Sequence, residues 1–273
     1  MSRVCSLICS GIVFAIALAC GLATAASPDL YRTTIVVSGQ GEANRAIGLA
    51  QAFEDVLVKV SGDQRLMRDA KVLALKPQAA EFVATYRYRD RMSGVPIHDE
   101  QGSYDRTHDL TVDFEPAKID ALLRSLGRTA WREPRPRIVV FLNVIGRKDR
   151  FALASDGLRD PDMRNSLTAS AGRVGLTMAL PTMAELAELN LSAEPSAGIS
   201  GLDRATQKAG GDVVLAGSLQ WSDKALGWIS DWRMAYRGKP YGWQIRGVGF
   251  DDAFRSGTRG AAQVLSGNGT PSN

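Results

Sequence analysis

The chain has 273 residues, of which 45% are hydrophobic and 23% charged, and its formal net charge is +4. The length suits one large or two modest domains, and the composition is that of a globular protein. So small a positive charge does not call for nucleic acid, and no nucleic-acid partner is expected.

The N-terminus reads as an export signal over residues 1–26. Arg3 gives the positive n-region, residues 7–19 form an apolar run broken by Ser10 and Gly11, and Ala23-Thr24-Ala25 is a small-x-small cleavage site. The run is too short to span a bilayer comfortably. No later segment is long and apolar enough, so no transmembrane helix is expected after signal removal. Cys5, Cys9 and Cys20 all lie in this signal. Its loss leaves a cysteine-free mature chain of net charge +3, because Arg3 is the only charged residue removed. A periplasmic location follows as the expectation. The alternative is a lipoprotein, since Ile16-Ala17-Leu18-Ala19-Cys20 resembles an acylation site, with Ala17 where leucine is usual. Cys20 would then anchor the chain to a membrane surface.

An N-terminal α+β domain is expected over residues 27–130. Residues 31–38 are rich in Thr, Ile and Val and predict a strand, and Gly39 and Gly41 mark a turn. Ala46, Ile47, Leu49, Ala50, Phe53, Val56, Leu57 and Val60 recur at helical spacing, with Gly62 as the stop. Phe53 and Leu57 lie one turn apart on this stripe and should be buried. Shorter helices are predicted over 64–75 and 78–83. Tyr86 and Tyr88 alternate with Arg87 and Arg89, which suggests a half-buried strand, and a second strand is expected over 108–114. Pro116 opens a helix with Ile119, Leu122, Leu123 and Leu126 inside, ended by Gly127.

Residues 131–137, with Pro134 and Pro136, read as an extended connector. A C-terminal α/β domain follows over 138–265. Residues 138–145 do not alternate, so a strand buried on both faces is predicted. Helices are expected from Asp160-Pro161 towards Val174, from the capping box Thr182-Met-Ala-Glu185, over 203–209 and over 251–265. Strands are expected over 176–180 and 212–221, and 227–236 pairs with 241–248 as a C-terminal hairpin. The fold class is therefore α/β (α+β). A strand-helix-strand-strand-helix unit precedes a mixed sheet with helices on its faces. Residues 266–273 read as a disordered tail.

Residues 30–63, the Val112-Asp-Phe-Glu-Pro116 segment, the Trp131-Arg-Glu-Pro-Arg-Pro136 segment and the Gly211-Asp-Val-Val-Leu-Ala-Gly217 strand resemble an exported proteobacterial family, domain of unknown function 2066. The resemblance implies a periplasmic or envelope-facing protein. It implies no activity and no catalytic residues.

Several residue groups invite chemistry. Gly39-Gln-Gly41-Glu-Ala-Asn44 joins a strand to a helix as a phosphate loop would, but Asn44 replaces the third glycine and the stretch reads as a plain turn. No cofactor is expected. His98-Asp99-Glu100, Asp105 and His108-Asp109 contain both histidines and offer a metal-dependent hydrolase site in a polar loop, although the spacing matches no standard ligand set. No nucleophile elbow or other catalytic set is present, so no catalytic residue is named. Trp228 and Trp232 share one face of their strand with Met234 and Tyr236. Such a row either packs under helices or binds a glycan or a partner protein, and the covered state is expected for both tryptophans. Arg124, Arg128, Arg132, Arg135 and Arg137 collect cations at the connector and could meet an acidic partner, with a solvated, locally paired face as the plainer reading. Trp228, Trp232, Arg128, Arg132 and Arg135 are thus the candidate interaction residues. The functional expectation is a non-enzymatic binding or accessory module of the cell envelope, whose partner is an envelope protein or a glycan. The alternatives are a metal-dependent hydrolase built on His98 and His108, and a carrier of a small apolar ligand between the domains.

Overall fold

The computed structural model describes residues 29–94, 106–132, 135–189 and 201–271. The first half is built around one helix. Strand β1 (Arg32–Ser38) alternates strictly, with Ile35 and Val37 inside and Val36 outside. Such a strand needs cover on one face only. Helix α1 (Glu42–Ser61) supplies it, with Phe53, Val56, Leu57 and Val60 fully buried. The helix ends at Gly62, whose left-handed φ of 74° lets its N–H return to the carbonyl of Val58. Strands β2 (Val83–Asp90) and β3 (Thr107–Phe114) complete an antiparallel sheet in the order β1-β3-β2. Helix α3 (Pro116–Ser125) adds Ile119 and Leu123 to the same core.

Two local expectations change. The helix expected over 64–75 is a 3₁₀ turn (Gln64–Arg68) followed by the short helix α2 (Ala70–Leu75). Asp69 is the cause: its carboxylate accepts the N–H groups of Lys71 and Val72, which ends one segment and caps the next. The helix expected over 78–83 is a second 3₁₀ segment (Lys76–Phe82). Strand β2 is more exposed than half-buried, with Tyr86 42% accessible, because it lies at the sheet edge away from α1, which packs over β1 and β3.

The second half is a mixed sheet covered on both faces. Its order is β5-β4-β7-β8-β9, with the short β6 (Met178–Ala179) pairing beside β4. These are β4 (Ile138–Ile145), β5 (Arg150–Ala152), β7 (Val213–Ser222), β8 (Gly227–Tyr236) and β9 (Lys239–Val248). β4 runs parallel to β6 and β7, and the remaining pairs are antiparallel. Ile138, Val140, Leu142 and Val144 of β4 pack with α4 (Pro161–Arg173) and α7 (Phe250–Leu265). Val139 and Phe141 face the other way, towards α5 (Met183–Glu188) and α6 (Asp203–Lys208). The unbroken apolar run of β4 is thereby explained. The capping box at Thr182 forms as expected, with Glu185 and Thr182 satisfying each other's backbone N–H.

The two halves share α1. Its Val58 belongs to the core of the second sheet, whereas Phe53 and Leu57 belong to the first. Asp55 of α1 meets Arg259 of α7 at 3.4 Å. Burial pushes the Asp55 carboxyl up, against the pull of Arg259, and burial likewise pushes the Arg259 guanidinium down. The chain's end also differs from the expected disordered tail over its described part, 266–271. Asn268 donates to the carbonyl of Ser61, Gln263 donates to the carbonyl of Thr270, and Pro271 is buried. The first bond ties the segment to the C-terminus of α1, where free carbonyls need donors, and the second folds it back on α7.

Candidate functional site

The carboxyl ends of β4 and β7 lie side by side, because the two strands are parallel and in register from Ile138↔Val213 to Ile145↔Gln220. In sheets of this kind the crevice beyond those ends is where ligands bind. A cleft of about 590 Å³ opens there, within the ordinary range for small-molecule sites. Trp221 of β7 and Trp228 of β8 form its aromatic wall. They are direct cross-strand partners with ring centroids 5.5 Å apart at 86°, an edge-to-face pair. Phe151 of β5 and Met163 of α4 add apolar surface.

The polar groups of the cleft carry both signs. Arg147 lies 4.9 Å over the Trp221 ring and pairs with Asp223 at 2.6 Å, while Trp221 Nε1 donates to Asp223 at 2.8 Å. The indole N–H and then the Arg147 guanidinium hold the Asp223 carboxyl below the usual carboxylate range. This triangle fixes the ring that a ligand would stack on. Lys148, Asp149 and Asp160 complete the rim. Asp160 is held in the left-handed region at φ 46°, and its side chain makes no capping bond to α4. A non-glycine residue in that region marks a backbone fixed by its surroundings, and such residues gather at ligand sites.

A second cleft of about 500 Å³ shares Phe151. Arg159 joins the two, 5.3 Å over the Phe151 ring and 3.3 Å from Asp149. Leu158, 99% exposed, and Met183, 49% exposed, line this second cleft. The two clefts thus adjoin at Phe151 of β5.

The structure separates the expected candidates. Trp232 is fully buried, as expected, but Trp228 is not fully covered and lines the cleft. The reason is the reach of α7: its residues Ala253, Phe254 and Gly257 pack over Trp232, while Trp228 stands towards the sheet end. The three candidate arginines are engaged within the molecule. Arg128 binds Asp63. Arg132 binds Asp120, which also accepts from Tyr31 at 2.7 Å. Arg135 stacks 4.1 Å over Trp131 and donates to the carbonyls of Lys59 and Val174 at 2.8 and 2.9 Å, stapling α1 to the end of α4. His108 lies within β3, not in a polar loop. Its Nδ1 is 2.7 Å from the carbonyl of Arg106 and its Nε2 is 3.0 Å from the Gln40 amide. His98, Asp99, Glu100 and Asp105 lie outside the described residues. Among the described residues, no group of three or more His, Cys, Asp or Glu is placed to hold a metal ion. No helix among them is long and apolar enough to cross a membrane.

Trp221, Phe151, Arg147, Met163 and Asp160 are not among the candidate interaction residues expected from the sequence, where Asp160 is read as a helix start. The available signal was the Gly146-Arg-Lys-Asp-Arg150 turn directly after a buried parallel strand, which is where a ligand loop belongs.

Residues 24–132 match the model of a domain of unknown function, DUF8605. This corrects the resemblance to domain of unknown function 2066. The match ends at the connector, so the cleft lies beyond the matched residues. A search of the curated proteins finds no match.

Proposed function

We propose that this protein is an exported, non-enzymatic binding module of the cell envelope and that its second sheet binds a glycan at the Trp221–Trp228 cleft. The observation that carries the reading is the fixed, perpendicular tryptophan pair at the carboxyl ends of two parallel strands. Sugar rings present apolar C–H faces to indoles and a rim of hydroxyls around them. A rim holding Arg147 and Lys148 together with Asp149 and Asp160 offers both donors and acceptors, which suits hydroxyls better than a ligand of one charge. An apolar carrier would call for an enclosed apolar cavity, and this cleft is open and charged. The second cleft adjoining at Phe151 gives room for more than one sugar unit.

Export and the envelope location rest on the signal-like N-terminus and belong to the same proposal. The reading is tested on an array of bacterial envelope glycans, probed with the wild-type protein and with Trp228→Ala. Binding by the wild type, lost in the variant, supports it. Absence of any saccharide bound, or equal binding by the variant, overturns it.

A further inference from the structure

A second groove, of about 480 Å³, lies at the seam between the two halves. Its walls come from both. The 3₁₀ turn Gln64–Arg68 gives Arg65, Met67 and Arg68, β9 gives Ile245, and α7 gives Arg255 and Arg259. Four guanidinium groups therefore face a single lining carboxylate, Asp252.

The carboxylates around the groove leave much of this donor capacity unused. Asp252 pairs with Arg255, its neighbour one turn away. Behind the groove, Asp63 takes Nε and Nη2 of Arg65 and Nε of Arg128. Arg259 is different. Its side chain is 20% exposed, and among the described residues its one ionic contact is the 3.4 Å approach to Asp55 on the α1 side. A guanidinium carries five N–H donors, and leaving them unmatched in a half-buried place is costly. Arg68 is exposed and makes no ion pair among the described residues.

We infer that this groove binds a phosphate ester, with the phosphate held between Arg259 and Arg68 and the organic body against Met67 and Ile245. Planar guanidinium forks match phosphate oxygens in pairs, and the oxygens of one phosphate can serve more than one fork. A carboxylate, with two oxygens, is filled by a single fork. The groove is larger than one inorganic anion requires, and its two apolar side chains give an attached group somewhere to lie. Because the walls come from both halves, a bound ligand ties the seam and stabilises the whole molecule. The phosphate could be that of a soluble ester or of a lipid headgroup.

The test uses calorimetric titration and melting of the whole protein with inorganic pyrophosphate and glycerol 3-phosphate, against potassium chloride of equal ionic strength. Co-sedimentation with phosphatidylcholine vesicles, with and without phosphatidic acid, forms the second arm. The expected result is binding and a raised Tm with the soluble phosphates. Arg68→Ala and Arg259→Lys should each weaken binding at least about tenfold, the size expected on losing a charge-assisted hydrogen bond. Sedimentation with phosphatidic acid vesicles alone, released by the same variants, assigns the phosphate to a lipid. The inference is overturned if chloride raises Tm equally, if both variants bind as the wild type does, or if neither arm shows binding. Should Arg259→Lys fail to fold, Arg68→Ala and Arg68→Glu decide the matter by themselves.

Discussion

Trp232 and Trp228 stand four residues apart on one face of β8, and their surroundings give them opposite work. Trp232 is wholly buried, and its Nε1 donates to Ser230 Oγ at 3.1 Å and to the carbonyl of Ala253 at 3.2 Å. The indole fits because Gly217 of β7 and Gly257 of α7 carry no Cβ. A Cβ on Gly257 would stand 2.5 Å from the ring. Trp232→Ala should therefore cost about 3–5 kcal/mol in urea unfolding, and Gly257→Ala about 1–3 kcal/mol through overpacking. A cost below about 1 kcal/mol for Trp232→Ala would contradict this packing. Iodide separates the two tryptophans. Trp228→Phe should remove much of the quenchable emission, whereas Trp232→Phe should remove blue-shifted emission that iodide does not reach. The reverse pattern would place the wrong ring in the cleft. Period-two spacing put both residues on one face, and that much was legible. Where the covering helix stops along that face depends on tertiary packing, which no spacing within β8 encodes.

Most elements could be read from local pattern: the apolar stripe of α1, the unbroken run of β4, the capping box at Thr182 and the proline starts of α3 and α4 all formed as predicted. The failures fall where one side chain competes with the backbone, as Asp69 does, or where a segment's fate is set by a distant neighbour, as for residues 266–271 against α1. Helix α1 shows the same limit. Its stripe predicted one buried face, yet the opposite side carries Val58 into the second core and leaves Lys59 at 9% exposure. Burial pushes the Lys59 ammonium down to about 8, although its Nζ donates to the carbonyls of Asp29 and Arg32 at 2.8 Å each. Between that value and the ordinary 10.5, the unfolded chain holds a proton that the native protein has lost. Unfolding free energy should thus rise with pH across this window, by up to about 3 kcal/mol over its full width. Below about 8 both states are protonated, and the desolvation cost is present in full. Tyr31 is raised above 10 by burial first and by Asp120 next, which acts in the opposite sense at higher pH. Urea unfolding at about pH 7.5 and about pH 9.5 isolates the effect. The wild type should gain stability and Lys59→Met should stay nearly flat. A wild type that loses stability relative to the variant would show the opposite sign.

At the scale of the molecule, two sheets are joined through α1, α7 and the Arg135 staple, and each region offers a different surface. The fold class was legible because hydrophobic periodicity is a local signal. The cleft was not, because it is assembled by register. Trp221 meets Trp228 through the β7–β8 pairing, Phe151 arrives on a three-residue strand, and Met163 and Asp160 come from the start of α4. Of the arginines that cluster in the sequence, Arg128, Arg132 and Arg135 are held by internal carboxylates and carbonyls, in line with the locally paired reading, although a charge run shows composition and not which partners it meets. The central claim is that the tryptophan pair is a ligand platform and not merely the frayed end of a core. The most direct measurement is tryptophan fluorescence of the purified protein during titration with the best saccharide from the glycan array, in the wild type and in Trp221→Ala and Trp228→Ala. A saturable change in the wild type, abolished in both variants while melting stays close to native, is the predicted result. No saturable change, or a change that survives both substitutions, would contradict it.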